Sequence, residues 1–146
     1  MTRPHSLAMS VLLLLACASQ SLVYAQAPDG VAAYYTDACY HPYTGDLLGD
    51  RLTLLRSPEG YAVKFQLAQG ELGPAIEGRA TIGGDALTFE LDTKDGKRLS
   101  FSGKITPEEI TGQFSNGRLS FSGKPEVHWR RVAINEFVIG GCKTTP

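Results

Sequence analysis

Apolar and polar residues alternate from Arg51 onward, and this period of two constrains the fold more than any other feature of the chain. Across 87–92, for example, Leu, Phe and Leu alternate with Thr, Glu and Asp. Turn-forming sequences such as Gly83-Gly84-Asp85 and Asn116-Gly117 recur about every ten residues. Alternation of this kind predicts strands with one buried face. We therefore predict eight strands, at 51–56, 61–67, 75–82, 87–92, 97–105, 109–114, 118–124 and 127–133.

The polar face of these strands indicates that the sheet faces water and not lipid. A membrane-spanning barrel needs an apolar outer band, whereas the outward positions of these strands are mainly polar, for example Lys64, Glu77 and Glu90. Eight strands with a polar exterior can close into a barrel that is filled by side chains or holds one small ligand. The prediction is an all-β chain that forms a small eight-stranded antiparallel up-and-down barrel or barrel-like meander.

Two further patterns bear on how this meander packs. The heptapeptide RLSFSGK at 98–104 recurs letter for letter at 118–124, which places the two copies on alternate strands. We interpret the repeat as hairpin duplication rather than as a binding code. Glycines at inward positions predict tight corners more than a ligand cavity, and these are Gly78, Gly103, Gly112 and Gly123.

The first 25 residues have the pattern of a cleaved export signal. Arg3 supplies the positive charge, an apolar run follows at 7–16, and small residues end at Ala25. The apolar run is about half the ~20 residues that a membrane-spanning helix needs. We therefore expect the mature chain in the periplasm or outside the cell.

A second way of processing this segment stays open. The sequence Leu14-Leu15-Ala16-Cys17 is similar to a bacterial lipobox, in which Cys17 is lipidated and becomes the mature N-terminus. On that alternative the protein is anchored in the cell envelope, and the lipid is its only connection with a membrane.

The cysteines predict one disulfide. Either way of processing leaves Cys39 and Cys142 as a pair, and thiols of exported proteins are usually oxidised. A bridge between them closes a loop of 103 residues, worth up to about 4 to 5 kcal/mol in the chain-entropy model. The alternative is two free thiols. The sequence therefore divides into three parts after the signal. A Tyr-rich segment at 26–50 is expected to pack on or plug the barrel, the meander covers 51–134, and a tail at 135–146 carries Cys142.

Composition and motif searches exclude several chemistries. A formal net charge of −1 leaves no basic excess for binding nucleic acid. The chain has no HExxH, paired CxxC, GxSxG or phosphate-binding GKS/T motif, so we predict neither an enzyme nor a cofactor. Cys39-Tyr40-His41 offers two ligands where zinc needs about four, and we predict no metal site.

Two stretches carry residue types that are typical of binding surfaces. Tyr40, His41 and Tyr43 surround a proline beside Cys39, and rigid tyrosine rings give contact area at low entropic cost. The alternative is that this segment plugs the barrel with its rings in the core. The second stretch has the only tryptophan, Trp129, next to Arg130; its alternative is a last strand with a core tryptophan and solvated arginines.

These residues predict an exported bacterial binding or inhibitory module without catalytic activity. Its expected partner is another envelope or extracellular protein, for example a cell-wall hydrolase or a delivered toxin. A lipocalin-like carrier of a small apolar ligand is the alternative, and an enzyme without a recognisable motif comes third.

Overall fold

The computed structural model of the protein describes residues 30–115, 126–136 and 138–143. Its strands are β1 (Gly30–Thr36), β2 (Cys39–Tyr40), β3 (Leu47–Ser57), β4 (Gly60–Gly70), β5 (Ile76–Gly83), β6 (Ala86–Asp92), β7 (Arg98–Ile105), β8 (Glu109–Phe114) and β9 (Glu126–Val132). Within the described ranges, no helix is long and apolar enough to cross a bilayer.

The order of the strands closes the sheet on itself. Consecutive strands from β3 to β9 are antiparallel neighbours, β9 pairs with β1, and β1 pairs with β3. The two residues of β2 extend the sheet beside β3. The eight strands β1 and β3–β9 therefore form a closed antiparallel barrel, which confirms the predicted fold class. The predicted signal at 1–25 lies outside the described residues.

Seven of the predicted strands correspond to β3–β9, and the barrel's remaining strand is one that the sequence did not predict. The predicted strand at 118–124, the second copy of the repeat, lies outside the described residues. Gly30–Thr36 instead forms β1 and completes the barrel. Its pairing with β3 shifts register between Val31 and Ala33, as at a β-bulge. A bulge disturbs the period of two, which explains why alternation did not reveal this strand.

The two ends of the barrel differ in their connections. At one end, called here the turn end, two-residue loops join β3 to β4 and β5 to β6. At the other, called the disulfide end, β1 ends and β3 begins, and the ten residues 37–46 connect them through β2. The candidate site lies at the disulfide end.

Aromatic rings fill the barrel interior. Phe89 stacks on Phe101 with ring centroids 4.6 Å apart, and Phe101 stacks on Trp129 at 5.2 Å. Phe65 and Phe114 pack against the same group. Aliphatic side chains complete the core, namely Leu52, Leu54, Val63, Leu87, Leu91, Leu99, Ile110 and Val127. The middle of the barrel is thus packed with side chains.

Two facing glycines let neighbouring strands come close. Gly103 of β7 pairs with Gly112 of β8. A Cβ atom on Gly103 would lie 2.2 Å from the carbonyl oxygen of Thr111, and one on Gly112 would lie 2.5 Å from that of Ser102. Gly78 is as tight, since its Cβ would lie 2.0 Å from the carbonyl oxygen of Glu90. The structure thus shows close approach of neighbouring strands at these three glycines; Gly123 lies outside the described residues.

Candidate functional site

A disulfide joins the connection between β1 and β3 to the C-terminal tail. Cys39 and Cys142 are bonded, with Cα atoms 4.9 Å apart, so the predicted pairing is present. Cys39 also pairs with Leu48 in β3. The crosslink therefore holds the tail against the barrel at the point where β2 lies.

Backbone hydrogen bonds reinforce this crosslink. Ile139 N–H donates to the carbonyl oxygen of Ala38 (2.9 Å), and Tyr40 N–H donates to that of Gly140 (2.9 Å). Cys142 N–H in turn donates to the carbonyl oxygen of Tyr40 (2.8 Å). The tail runs parallel to β2 here, so β2 is held between β3 and the tail.

Residues 40–46, called here the tyrosine loop, are closed by their own hydrogen bonds. His41 N–H donates to the carbonyl oxygen of Asp46 (2.8 Å), and Gly45 N–H donates to that of His41 (2.9 Å). Gly45 adopts a φ of 75°, which favours glycine. The Thr44 hydroxyl donates to Asp46 Oδ2 (2.7 Å) and lies 3.1 Å from His41 Nδ1. These bonds give the loop a defined shape.

The aromatic side chains of the loop face solvent. Tyr43 is 86% exposed and Tyr40 is 51% exposed. The imidazole of His41 lies edge to face with the Tyr43 ring, with centroids 5.9 Å apart. Within the Tyr-rich segment at 26–50, Tyr35 of β1 packs into the barrel core. Its hydroxyl donates to the carbonyl oxygen of Thr106 (3.3 Å).

The second predicted binding stretch divides between core and surface. Trp129 is fully buried, and its ring packs among the phenylalanines of the interior. Arg130, the next residue of β9, is exposed beside Glu109 of β8 and Thr36 of β1. Period-two alternation separates the two side chains, so the structure places Trp129 in the packing and does not bring it together with the tyrosine loop.

A buried carboxyl group near the tyrosine loop was not found from the sequence. Asp50, near the start of β3, is 0% exposed. Among the described residues, neither of its carboxylate oxygens has a hydrogen-bond partner, and the same holds for the indole nitrogen of Trp129. Counting back by twos from Leu54 and Leu52 reaches position 50, so the alternation contained the signal for an inward-facing acid.

Burial changes the acidity of this group and of its neighbour. Burial and, to a smaller extent, the carboxyl of Asp37 raise the pKa of Asp50 to about 8, while the Trp129 indole N–H acts against both. Burial also raises the pKa of Asp37, while its hydrogen bonds from backbone N–H groups and the nearby His128 oppose that rise. Asp50 is therefore mostly neutral at pH 7.

An apolar cavity of about 390 Å³ opens beside β4 and β5 at the disulfide end. It is lined by Phe65, Leu67, Gln69, Glu71, Gly73, Pro74, Ile76 and Lys94. Leu67 is the direct cross-strand partner of Asp50. The cavity is thus a recess in the rim of the barrel, next to the layer that contains the buried acid.

The described ranges contain no group of three His, Cys, Asp or Glu side chains arranged to hold a metal ion. Comparison of the chain with models of known protein families, with characterised protein sequences and with solved structures gives no match. A functional argument therefore starts from the geometry of the protein itself.

Proposed function

We propose that the protein is an exported, non-catalytic binding module that holds another envelope or extracellular protein through its tyrosine loop. The observation that carries the proposal is the exposure of Tyr40 and Tyr43 on a loop that a disulfide and several hydrogen bonds hold in shape. A cell-wall hydrolase or a toxin delivered by a neighbouring cell is the kind of partner that such a module would inhibit.

Preorganisation is the physical reason for choosing this loop. Tyrosine rings are frequent anchors of protein interfaces, and a loop that is already ordered loses less entropy on binding. The tyrosine loop combines both properties, since its exposed rings stand on a backbone bonded to β3 and to the tail. Trp129 is excluded from the proposed surface because it is buried, and Arg130 is left as a flanking cation.

A capture experiment with matched variants tests the proposal. The mature protein is immobilised and exposed to envelope extract, alongside a Tyr40→Ala/Tyr43→Ala variant and a Val31→Ala/Ile134→Ala control. Val31 and Ile134 are also exposed apolar residues, but they lie at the turn end. Because an anchor is often worth about 2 kcal/mol, the tyrosine variant should weaken partner binding at least about thirtyfold. The control should bind as the unchanged protein does.

Thermal melting of the same variants separates recognition from a structural role. The tyrosine variant should melt close to the unchanged protein, since both rings are largely in solvent. A marked fall in its melting temperature with undiminished capture would show that the loop serves as a plug, and would end the proposal.

Export is part of the proposal and has its own test. The Cys39–Cys142 disulfide supports an oxidising compartment. The intact mass of protein from the cell envelope should correspond to a chain that begins at Gln26, in the periplasm or outside the cell. A mass that corresponds to a lipidated Cys17 would establish the envelope-anchored alternative, and a chain that retains Met1 would contradict export by either route.

The rim cavity supports a second candidate function, the carriage of a small apolar ligand. Its wall is mainly apolar, with Phe65, Leu67 and Ile76 around an opening edged by Glu71 and Lys94. Native mass spectrometry of protein purified from cells should show an added mass if this function is correct. It should show the mass of the chain alone if the protein is only a protein-binding module.

A further inference from the structure

The carboxyl group of Asp50 is buried in a way that disfavours its ionised form. The residue is 0% exposed, and within the part of the chain that the structure describes its carboxylate oxygens have no hydrogen bond of normal geometry, although the nearby Trp129 indole N–H favours the ionised form. An ionised carboxylate taken out of water without a compensating partner is strongly disfavoured, so such a group stays protonated or moves to reach water. The closed barrel end therefore holds a neutral acid.

Among the described residues that act on the Asp50 carboxylate, none is a counterion. The carboxyl of Asp37, which follows β1, is the charged group that acts on it. From β9, Trp129 presents an indole N–H, while His128 acts on Asp37 and contacts Glu109 of β8. From β4, the residue opposite Asp50 is Leu67, an apolar one.

Two short hydrogen bonds and one longer one tie the backbone of Asp50 to the chain that leads into the tyrosine loop, and a further bond fixes that chain. Asp50 N–H donates to Asp37 Oδ1 (2.6 Å), and the Thr36 hydroxyl and Asp37 N–H donate to the carbonyl oxygen of Asp50 (2.7 and 3.2 Å). Ala38 N–H then donates to the Thr36 hydroxyl oxygen (2.9 Å). The acid and the base of the loop thus form one bonded unit.

Close packing leaves little room for water at this unit. A Cβ atom on Gly49 would lie 2.8 Å from Asp37 Oδ1 and 2.9 Å from the Cα atom of Ala38. Ala38 in turn accepts the bond from Ile139 of the tail. A movement of Asp50 that brings its carboxyl toward water would disturb contacts of this kind, and the tyrosine loop begins two residues beyond Ala38.

We infer that the proton on Asp50 acts as a latch, which keeps the base of the tyrosine loop closed against β3 and lets it open when the proton is lost. The inference rests on the proposed function for its biological meaning, because an open loop would no longer present Tyr40 and Tyr43 in one arrangement. The latch itself is a property of the isolated chain.

The direction of the pH dependence follows from where the proton is held. The pKa of Asp50 is about 8 in the closed state, chiefly through burial and then through Asp37, against an ordinary value of 3.8. Opening therefore releases a proton at any pH between these two values. The latch is fully closed below pH 4 and weakens as the pH rises to 8, with opening favoured by up to about tenfold per pH unit.

Hydrogen exchange of the disulfide-intact protein measures this opening without a partner. Amide protection in peptides covering 38–48 is followed from pH 5 to pH 8 and corrected for the intrinsic exchange rate. The protection should fall by up to about tenfold per pH unit. Asp50→Asn, which is neutral at every pH, should abolish this dependence. Asp85→Asn, an exposed carboxylate at the turn end that pairs with Lys104, should leave it unchanged.

A second variant protects the test against a folding defect in Asp50→Asn. Asp37→Asn keeps an oxygen that can accept the Asp50 N–H but removes the neighbouring charge, so the fall in protection should stop at a lower pH. Protection that does not vary with pH in the unchanged protein would overturn the latch. So would a tyrosine loop that exchanges only as slowly as β7 at pH 8, because opening would then be global unfolding. Neither result would bear on the proposed binding of a partner, which the capture experiment tests separately.

Discussion

The turn end and the disulfide end of the barrel solve the same problem of chain connection in different ways. At the turn end, Pro58-Glu59 and Gly84-Asp85 reverse the chain in the fewest residues that a hairpin needs. At the disulfide end, 37–46 form a longer excursion with exposed rings and a disulfide, above a buried acid to which the described residues give no hydrogen bond of normal geometry. The connections at the turn end are short, whereas the disulfide end has a long connection, a disulfide and exposed rings that the closure of a barrel does not require.

The aromatic residues of the interior differ from those of the disulfide end, since packing alone explains them. The rings of Phe89, Phe101 and Trp129 stack on one another and are excluded from water. The rings of Tyr40 and Tyr43 instead lie in water, on a loop whose freedom of movement is restricted by the neighbouring disulfide. These two groups of described aromatic residues thus serve packing and proposed recognition, and substitutions in the two places should behave differently.

The largest expected effect is that of Trp129→Ala. Removal of a fully buried indole that packs on Phe101 and Phe65 should lower the free energy of unfolding by about 3 to 5 kcal/mol. Tyr43→Ala, a comparable truncation in solvent, should change it by less than about 0.5 kcal/mol. Denaturant unfolding of both variants checks the contrast, and similar losses would show that the two regions are not distinct.

The next largest effect concerns the crosslink between the tail and β2. Replacement of Cys39 and Cys142 by Ser should lower the free energy of unfolding by about 2 to 4 kcal/mol, since the bridge closes a long loop in the unfolded chain. The unchanged protein in a reducing agent should match the double variant. If reduction leaves the unfolding curve where it was, the barrel alone accounts for the stability of this end.

A smaller effect is expected where β7 and β8 touch. Gly103→Ala places a methyl group 2.2 Å from the carbonyl oxygen of Thr111, so the strands must separate at a cost of about 1 to 3 kcal/mol. Gly83→Ala is the matched control, because a Cβ there meets nothing within 4 Å. Equal stability of the two variants in chemical denaturation would mean that the close approach is not needed.

The sequence predicted most of the barrel because a one-sided strand must alternate. Seven strands and the disulfide followed from alternation and from the pairing of two remaining cysteines. β1 was missed because its pairing is irregular near Ala33, and a bulge does not follow a period of two. Asp50 was missed because the predicted strand began one residue later, at Arg51, although the alternation continues back to position 50.

The candidate site was predictable in composition and not in geometry. Tyrosines around a cysteine and a proline indicated a binding surface or a plug, and the sequence left that choice open. The shape of the loop that exposes Tyr43 depends on the bond between His41 and Asp46 and on the bonds between Tyr40 and the tail, and the latter connect distant parts of the chain. The Trp129 stretch had a similar composition, yet the pleat of β9 turns its indole inward.

The most direct test of the central claim is photocrosslinking in living cells. Tyr43, and separately Ile134 at the turn end, is replaced by a photoreactive phenylalanine analogue in the full chain. Irradiation should produce a discrete, larger adduct with a second protein from position 43 and none from position 134. No adduct from position 43, or the same adduct from both positions, would contradict the claim that the tyrosine loop is the surface on which this protein binds its partner.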